Sequence, residues 1–502
     1  MLLLKSPFLK AALMLVSIAP MLGATHLQAA PLQTITLRAS DTISTNELTN
    51  ERTIQLTIQP ALASLLDIYH EAIANDPTLA SALNENLAAQ ELIEQSKALY
   101  RPTVNFNANA NATQSDIKFL GDGSPFRRQG KSNFEGYNYG VEARQPIFRK
   151  DNLLQIDQSK TQVSLADKQL HLTQQNLMLR TTQAYFDVLI AQENIALIQG
   201  QKVAILGQLD QAKANFEVGT ATITDVNEAQ ARFDLAVAQE IAAMNAHEVA
   251  KRAVQAITGR IPDSLAPVRA DIAPNQLSQN MTAWLDVAKQ NNLNIQISQD
   301  NLTIAEQNIE RARSGHLPTL DAVATYNDAY TNGSANGFGS ELKNGVIGLQ
   351  LQIPLYAGGA VNSRTRQAAF NKDKALSDIE IARRQTALDT QSAYLNLSTS
   401  IAQIKAFEQA LISTQSQVDS TKLGYEVGVR TSIDVLNAQQ QLFTAKRDLL
   451  QARYQYLVNI IRLKAASGVM AEVDLADINQ QLVLNTAIAT APLSLPAQQT
   501  AP

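Results

Sequence analysis

A nine-residue motif, Glu-Val-Gly-x-x-Thr-x-x-Asp, occurs twice, at Glu217–Asp225 and Glu426–Asp434, and its residue types are the ones best placed to do chemistry. Gly219 and Gly428 suit the left-handed backbone that ends a helix. Thr222 and Thr431 suit an N-cap, with Asp225 and Asp434 three positions on, where a carboxylate meets the free amides and positive end of the next helix. Each motif therefore predicts a tight turn between antiparallel helices, held by hydrogen bonds and charge. Bond-making chemistry is not indicated. His26, His70, His171, His247 and His316 are scattered, and HExxH, GxSxG and a phosphate-cradling glycine loop are all missing from the sequence. The chain has no cysteine, which excludes thiol catalysis, Cys-ligated zinc and disulfides together. No catalytic residue, metal site or cofactor is expected.

The elements that position these turns are written twice. Glu217–Ala236 matches Glu426–Ala445, Ala184-Tyr185 matches Ala393-Tyr394 at the same offset, Ala98–Asn111 parallels Ser314–Asn327, and Pro146 parallels Pro354. Duplication accounts for this order. Before each turn lies a long segment without proline, 152–217 and 362–426, with Leu172, Leu179 and Phe186, and Leu388, Leu395 and Ala402, at sevenfold spacing. That pattern predicts coiled coils, each about 100 Å long.

Between the helical segments are stretches with period-two alternation. Val104, Phe106, Ala108, Ala110 and Ala112 alternate with asparagines; Tyr137, Tyr139, Val141 and Ala143 alternate with Asn138, Gly140, Glu142 and Arg144. In the second half Leu320, Ala322, Ala324 and Tyr326 form one strand, and Ile347, Leu349, Leu351 and Ile353 another. Strands of roughly 10 residues suit a tilted membrane-spanning barrel, with Tyr100, Phe148 and Tyr356 near the girdle positions. The loops Ser115–Lys131 and Thr331–Gly345 are expected outside the cell. Four strands cannot close a barrel, and open edges in lipid are prohibitively costly, so the chain must oligomerise; three copies supply about 12 strands and an open lumen.

Aromatics at 5% and charged residues at 17% of 502 residues argue for thin helix-on-helix packing over one thick core. Lys5 and Lys10 before an apolar run, then small residues near Ala29, predict a secretory leader. Beyond it no apolar run is long enough for a spanning helix. The formal charge of −5 and the lack of any Lys/Arg cluster interleaved with aromatics exclude nucleic acid as a partner. A filament would also use long Ala/Gln/Asn-rich helices, but it leaves the paired strands in both halves unexplained.

Four segments, Gly315–Asp321 (GHLPTLD), Leu355–Ser363 (LYAGGAVNS), Glu217–Val226 and Tyr425–Ala438, make the chain resemble the TolC family of outer-membrane efflux and type I secretion proteins, from about Leu62 to Ile478. The resemblance implies an α+β membrane protein: a homotrimeric 12-stranded β-barrel in outer-membrane lipid, four strands per protomer, continued through the periplasm by a long α-helical barrel. It implies export of small molecules or proteins, with a periplasmic adaptor and an inner-membrane efflux pump or ABC transporter as partners. The organisation expected is a signal peptide at 1–29, an N-terminal extension at 30–60, a first repeat at 61–270 (strand pair about 102–147, tip 217–225), a second at 271–478 (strand pair about 318–355, tip 426–434) and a flexible tail at 479–502. Matched residue by residue, Thr224 and Asp225 are implied as latch receptors for Arg430 of a neighbouring protomer and for Tyr425. Asp434 matches an acidic ring at the pore constriction, and Asn437 stands where the family has a second acidic ring. Val218, Gly219, Thr220, Val427, Gly428 and Val429 match tip segments that receive the adaptor.

Overall fold

Alternating apolar and polar residues lay down four strands in the computed structural model, which describes residues 62–118, 130–269, 274, 279–334 and 338–483. The expected leader, the N-terminal extension, the 270/271 boundary and most of the tail lie outside these residues. The strands are β1 (Thr103–Ile117), β2 (Gly130–Phe148), β3 (Thr319–Thr331) and β4 (Ser340–Gln352), antiparallel in the order β1-β2-β3-β4. Directly opposed residues share a face. Phe106, Val141 and Tyr326 are in register, as are Ala143, Ala324 and Ile347, so one face is apolar across all four strands. The other face carries Asn105, Asn107, Asn109 and Gly140. Within the protomer β1 and β4 are each paired along one side only.

The ladders run further than alternation suggests. Ser115 pairs Ser132, Asp116 pairs Lys131 and Thr331 pairs Ser340, all inside segments expected as loops. Backbone pairing does not need apolar side chains, so hydropathy under-reads strand ends. Tyr100 is also placed differently from a lipid-facing girdle residue: its hydroxyl donates to the Arg149 carbonyl at 2.8 Å and accepts from the Arg149 N–H at 3.1 Å. Beside it, Arg149 makes two bonds to the buried Asp321 carboxylate, at 2.9 and 2.5 Å, with Arg144 at 3.5 Å. That cluster fixes the joint between sheet and helices. Tyr137, Tyr139 and Tyr330 gather nearer the opposite end of the apolar face, with Tyr137 and Tyr330 ring centroids 5.1 Å apart.

Each strand pair feeds a helical hairpin. The first comprises α3 (Lys150–Glu217, 68 residues) and α4 (Ile223–Thr258); the second comprises α7 (Ala360–Glu426, 67 residues) and α8 (Ser432–Ala466). At about 1.5 Å per residue the longer helices reach about 100 Å. Shorter helices α1 (Leu65–Asn75) and α2 (Pro77–Ala98) pack on α3, while α5 (Met281–Asn291) and α6 (Leu293–Ser314) pack on α7. Among the described residues no helix is long and apolar enough to cross a membrane.

The main apolar core joins both halves where the hairpins meet α1 and α9 (Glu472–Asn479): Leu65, Ile68, Leu177, Tyr185, Phe186, Tyr454, Leu457 and Ile461 are buried together. Each such side chain contributes about 1.5–3 kcal/mol by leaving water. Phe186 meets Tyr185 and Tyr454 edge-on, at 5.6 and 5.7 Å. The Tyr454 hydroxyl donates to Glu193 Oε1 at 2.6 Å. Burial, then that carboxylate, pushes the phenol well above its usual range. Asn479 to Val483, expected as the start of a loose tail, are tied down instead: the Val483 N–H donates to the Pro267 carbonyl at 2.8 Å and Leu482 is buried.

One expected seam is not used. Leu388 and Leu395 are each 56% exposed in the protomer and Ala402 is exposed as well, whereas Ala393, Leu397, Ser400 and Ile404 are buried. Leu388 and Leu395 thus fall on the face of α7 that this protomer leaves uncovered.

Candidate functional site

The two helix-to-helix turns close in the same way. Gly219 and Gly428 take φ of 77° and 78°, where a side chain would strain the backbone. The Gly219 and Thr220 N–H groups reach the Phe216 and Asn215 carbonyls at 3.0 and 2.8 Å. Those of Gly428 and Val429 reach Tyr425 and Gly424, also at 3.0 and 2.8 Å. This paired bonding satisfies carbonyls that the last turn of a helix would leave open. Three residues on, the Thr222 and Thr431 hydroxyls accept from the Asp225 and Asp434 N–H groups at 3.3 and 3.2 Å. In return Asp225 Oδ2 accepts from the Thr222 N–H at 2.9 Å and hydroxyl at 2.8 Å, and Asp434 Oδ2 from those of Thr431 at 3.0 and 2.9 Å. Each motif is a stop followed by a capping box.

Charge follows from this bonding. The Thr431 backbone N–H, then its hydroxyl, and to a lesser extent the Arg430 guanidinium, hold the Asp434 carboxyl below the usual carboxylate range. Val218, Thr220, Val427 and Val429 stand exposed at the turns, Val429 by 76%.

The two copies differ at the positions that bring them together. In register, Phe216 of the first corresponds to Tyr425 of the second, and Asn215 to Gly424. The Asn215 amide Nδ2 donates to the Tyr425 hydroxyl at 2.9 Å, so a side chain missing from one copy meets a hydroxyl missing from the other. Gly424 has its own reason: a Cβ there would lie 2.7 Å from Arg430 Cγ, so only glycine lets Arg430 fold back over α7. Neither Asn215 nor Gly424 is singled out by the motif. Comparing the copies position by position is the signal that finds them.

Asp225, Tyr425 and Arg430 line one cavity of about 430 Å³ with Asn215, Thr220 and Gly428. Thr224 is exposed and does not line it. Proximity is not contact, however. Asp225 Oδ2 accepts from its own cap and the Tyr425 hydroxyl accepts from Asn215, and among the described residues the two side chains are not hydrogen-bonded to each other. Asn437, exposed one turn beyond Asp434, accepts a hydrogen bond through Oδ1 from Arg232 Nη2 of α4 at 3.1 Å. The described residues contain no His/Cys/Asp/Glu group able to hold a metal ion. The site offers polar contacts between the two hairpins.

Comparison with known proteins agrees with this architecture. The family model described as "Outer membrane efflux protein" matches residues 68–260 and 284–469. The outer membrane protein TolC of Vibrio cholerae is 34% identical over 422 residues, covering 84% of this chain and 94% of that protein. The alkaline protease secretion protein AprF of Pseudomonas aeruginosa is 31% identical over 415 residues, covering 82% and 85%. Among solved structures, a membrane protein from Pseudomonas aeruginosa superposes with a TM-score of 0.69 at 18% identity, covering 81% of this chain and 91% of that one.

Proposed function

Because the chain belongs to the outer membrane efflux protein family, we propose that this export channel of the outer membrane works as a homotrimer whose periplasmic mouth is closed by its hairpin tips. One observation carries the reading: a four-stranded sheet with an exposed apolar face and two half-paired edge strands continues into two helical hairpins, their long helices 68 and 67 residues in length. In lipid the half-paired edges must be satisfied, and a second and third copy supply the pairing. Twelve strands then enclose a lumen faced by Asn105, Asn107, Asn109 and Gly140. Residues left exposed on α7, among them Phe370, Ile381, Leu388, Leu395 and Ile412, supply an apolar stripe for a neighbouring protomer's helices.

The tips face the periplasm in this assembly. Val218, Gly219 and Thr220, with Val427, Gly428 and Val429, form the surface that a periplasmic adaptor grips. Thr224, Asp225, Tyr425 and Arg430 form the latches, with Asn215 holding Tyr425 in the isolated protomer. Asp434 rings the constriction with three carboxylates per trimer, and Asn437 leaves the next ring neutral. The energy source is an inner-membrane efflux pump or ABC transporter. Cargo spans small toxic molecules and proteins. The protein-secretion arm is supported by the likeness to a protease secretion protein, and the drug arm by the family itself.

Deletion of the gene, with parallel assays of drug susceptibility and of secreted protein in the medium, tests the reading. Greater susceptibility, lost secretion, or both, restored by the intact gene, is the expected result. Unchanged behaviour in both assays, in a strain where the protein is normally abundant in the outer membrane, would overturn it.

A further inference from the structure

Side-chain hydrogen bonds tie the first hairpin to the second, and their setting changes along the helices. Near the main core, Arg462 Nη2 donates to Gln183 Oε1 at 2.8 Å and Tyr454 to Glu193 at 2.6 Å, beside the packed aromatic residues. Further out, Gln201 Nε2 donates to Gln440 Oε1 at 2.6 Å, next to a groove of about 380 Å³ between α3, α4 and α8. Toward the tips, Leu436 is the only buried α8 residue in the apolar cluster of the first hairpin, formed by Ile205, Leu209, Ala212, Ala229 and Ala236. Here the helices are joined by Asn215 to Tyr425 at 2.9 Å and by Arg232 to Asn437 at 3.1 Å. Where apolar packing between hairpins thins, polar contacts set their spacing.

We propose that Arg232 is a gate-positioning residue: its bond to Asn437 locks α4 against α8 within one protomer, about two helical turns beyond Asp225. This rests on reading the tips as a closed periplasmic gate. Arg232 is suited to the task for three reasons. It crosses from one hairpin to the other, in a region where α4 and α8 otherwise touch little. Its other charged neighbour, Glu228, lies one turn back on its own helix at 3.8 Å and aims the guanidinium without neutralising it by a close hydrogen bond. Its acceptor is a neutral amide, which makes the lock weaker than an ion pair and easily released. A guanidinium offers five N–H donors in a planar fork, so a carboxylate at position 437 would take it more strongly than the amide does.

The test uses the full chain, purified from outer membranes and inserted into planar lipid bilayers, with open-state occupancy as the readout. Arg232→Met keeps the aliphatic stem but no donor, and should raise open occupancy about three- to tenfold, as expected for one partly exposed charge-assisted bond. Arg232→Lys should recover part of the closed state. Asn437→Asp should lower open occupancy, and that effect should vanish when Arg232→Met is also present. This double-mutant comparison separates the lock from any direct effect of charge in the pore. Occupancy unmoved by Arg232→Met, or an Asn437→Asp effect that persists without Arg232, would overturn the proposal. A reference arm, Tyr425→Phe with Arg430→Ser, reports separately on the tip latches. If that pair is silent while the Arg232 series behaves as expected, the latch assignment falls and the lock stands. If the pair opens the channel and the Arg232 series is silent, the reverse holds.

Discussion

Asp434 does two jobs with one carboxylate. It closes the capping box on Thr431, most strongly in its ionised form, and in the proposed trimer it places three negative charges at the narrowest point. Because its bonding partners and Arg430 depress the folded pKa, the stability that the charged form adds to the cap is fully present above the ordinary aspartate value, about 4, and is lost only as pH falls below that through the depressed value. Neutral and mildly acid periplasm should therefore leave the turn intact. Asp434→Asn should weaken cation preference while an amide oxygen still caps the helix. The reversal potential of reconstituted channels in a salt gradient measures this; no shift would remove Asp434 from the constriction. The capping role was readable from spacing alone, since Thr and Asp three apart after Gly have few other uses. The partner of Tyr425 was not, because Asn215 lies 210 positions away and meets it only when two hairpins pack.

At the scale of elements, the sheet faces have opposite requirements. Ile347 on β4 is 90% exposed in the protomer and in register with Ala324 on the apolar face, while the adjacent Gly348 points to the polar face and has no heavy atom within 4 Å of a built Cβ. Ile347→Lys should cost about 2–4 kcal/mol if it lies near the bilayer midplane. Gly348→Asn should cost little. Yields of heat-resistant oligomer in outer-membrane fractions compare the two, and equal yields would contradict the assignment of faces. Strand identity was legible because period-two alternation is a one-dimensional signal. Strand ends were not, since Asp116 opposite Lys131 pairs by backbone, which hydropathy does not record. The seam that α7 uses inside the protomer is not the one its sevenfold spacing marks. Sevenfold spacing marks Leu388 and Leu395, whereas contact within the protomer buries Ala393, Leu397 and Ser400 on another face.

For the whole molecule, those outward leucines become an argument about assembly. Residues that are more than half exposed in a protomer can be made polar with little effect on its own core. Leu388→Asp with Leu395→Asp should thus leave the protomer folded by circular dichroism yet shift detergent-solubilised protein from trimer toward monomer, read by native mass spectrometry. A trimer unaffected by both substitutions would place that stripe against something other than a second copy. The half-paired edges of β1 and β4 make the same demand on the membrane side, where unpaired amides have no water to turn to.

The sequence by itself determined the strand pairs, the long helices and the chemistry of the two turns, because each is set by local spacing and by the period of the backbone. Only the tertiary structure decided which residues of one copy answer residues of the other: Asn215 with Tyr425, and Arg232 with Asn437. Such pairings depend on the rotation and depth at which one hairpin lies against another. Packing geometry fixes those quantities, and no interval along the chain encodes them.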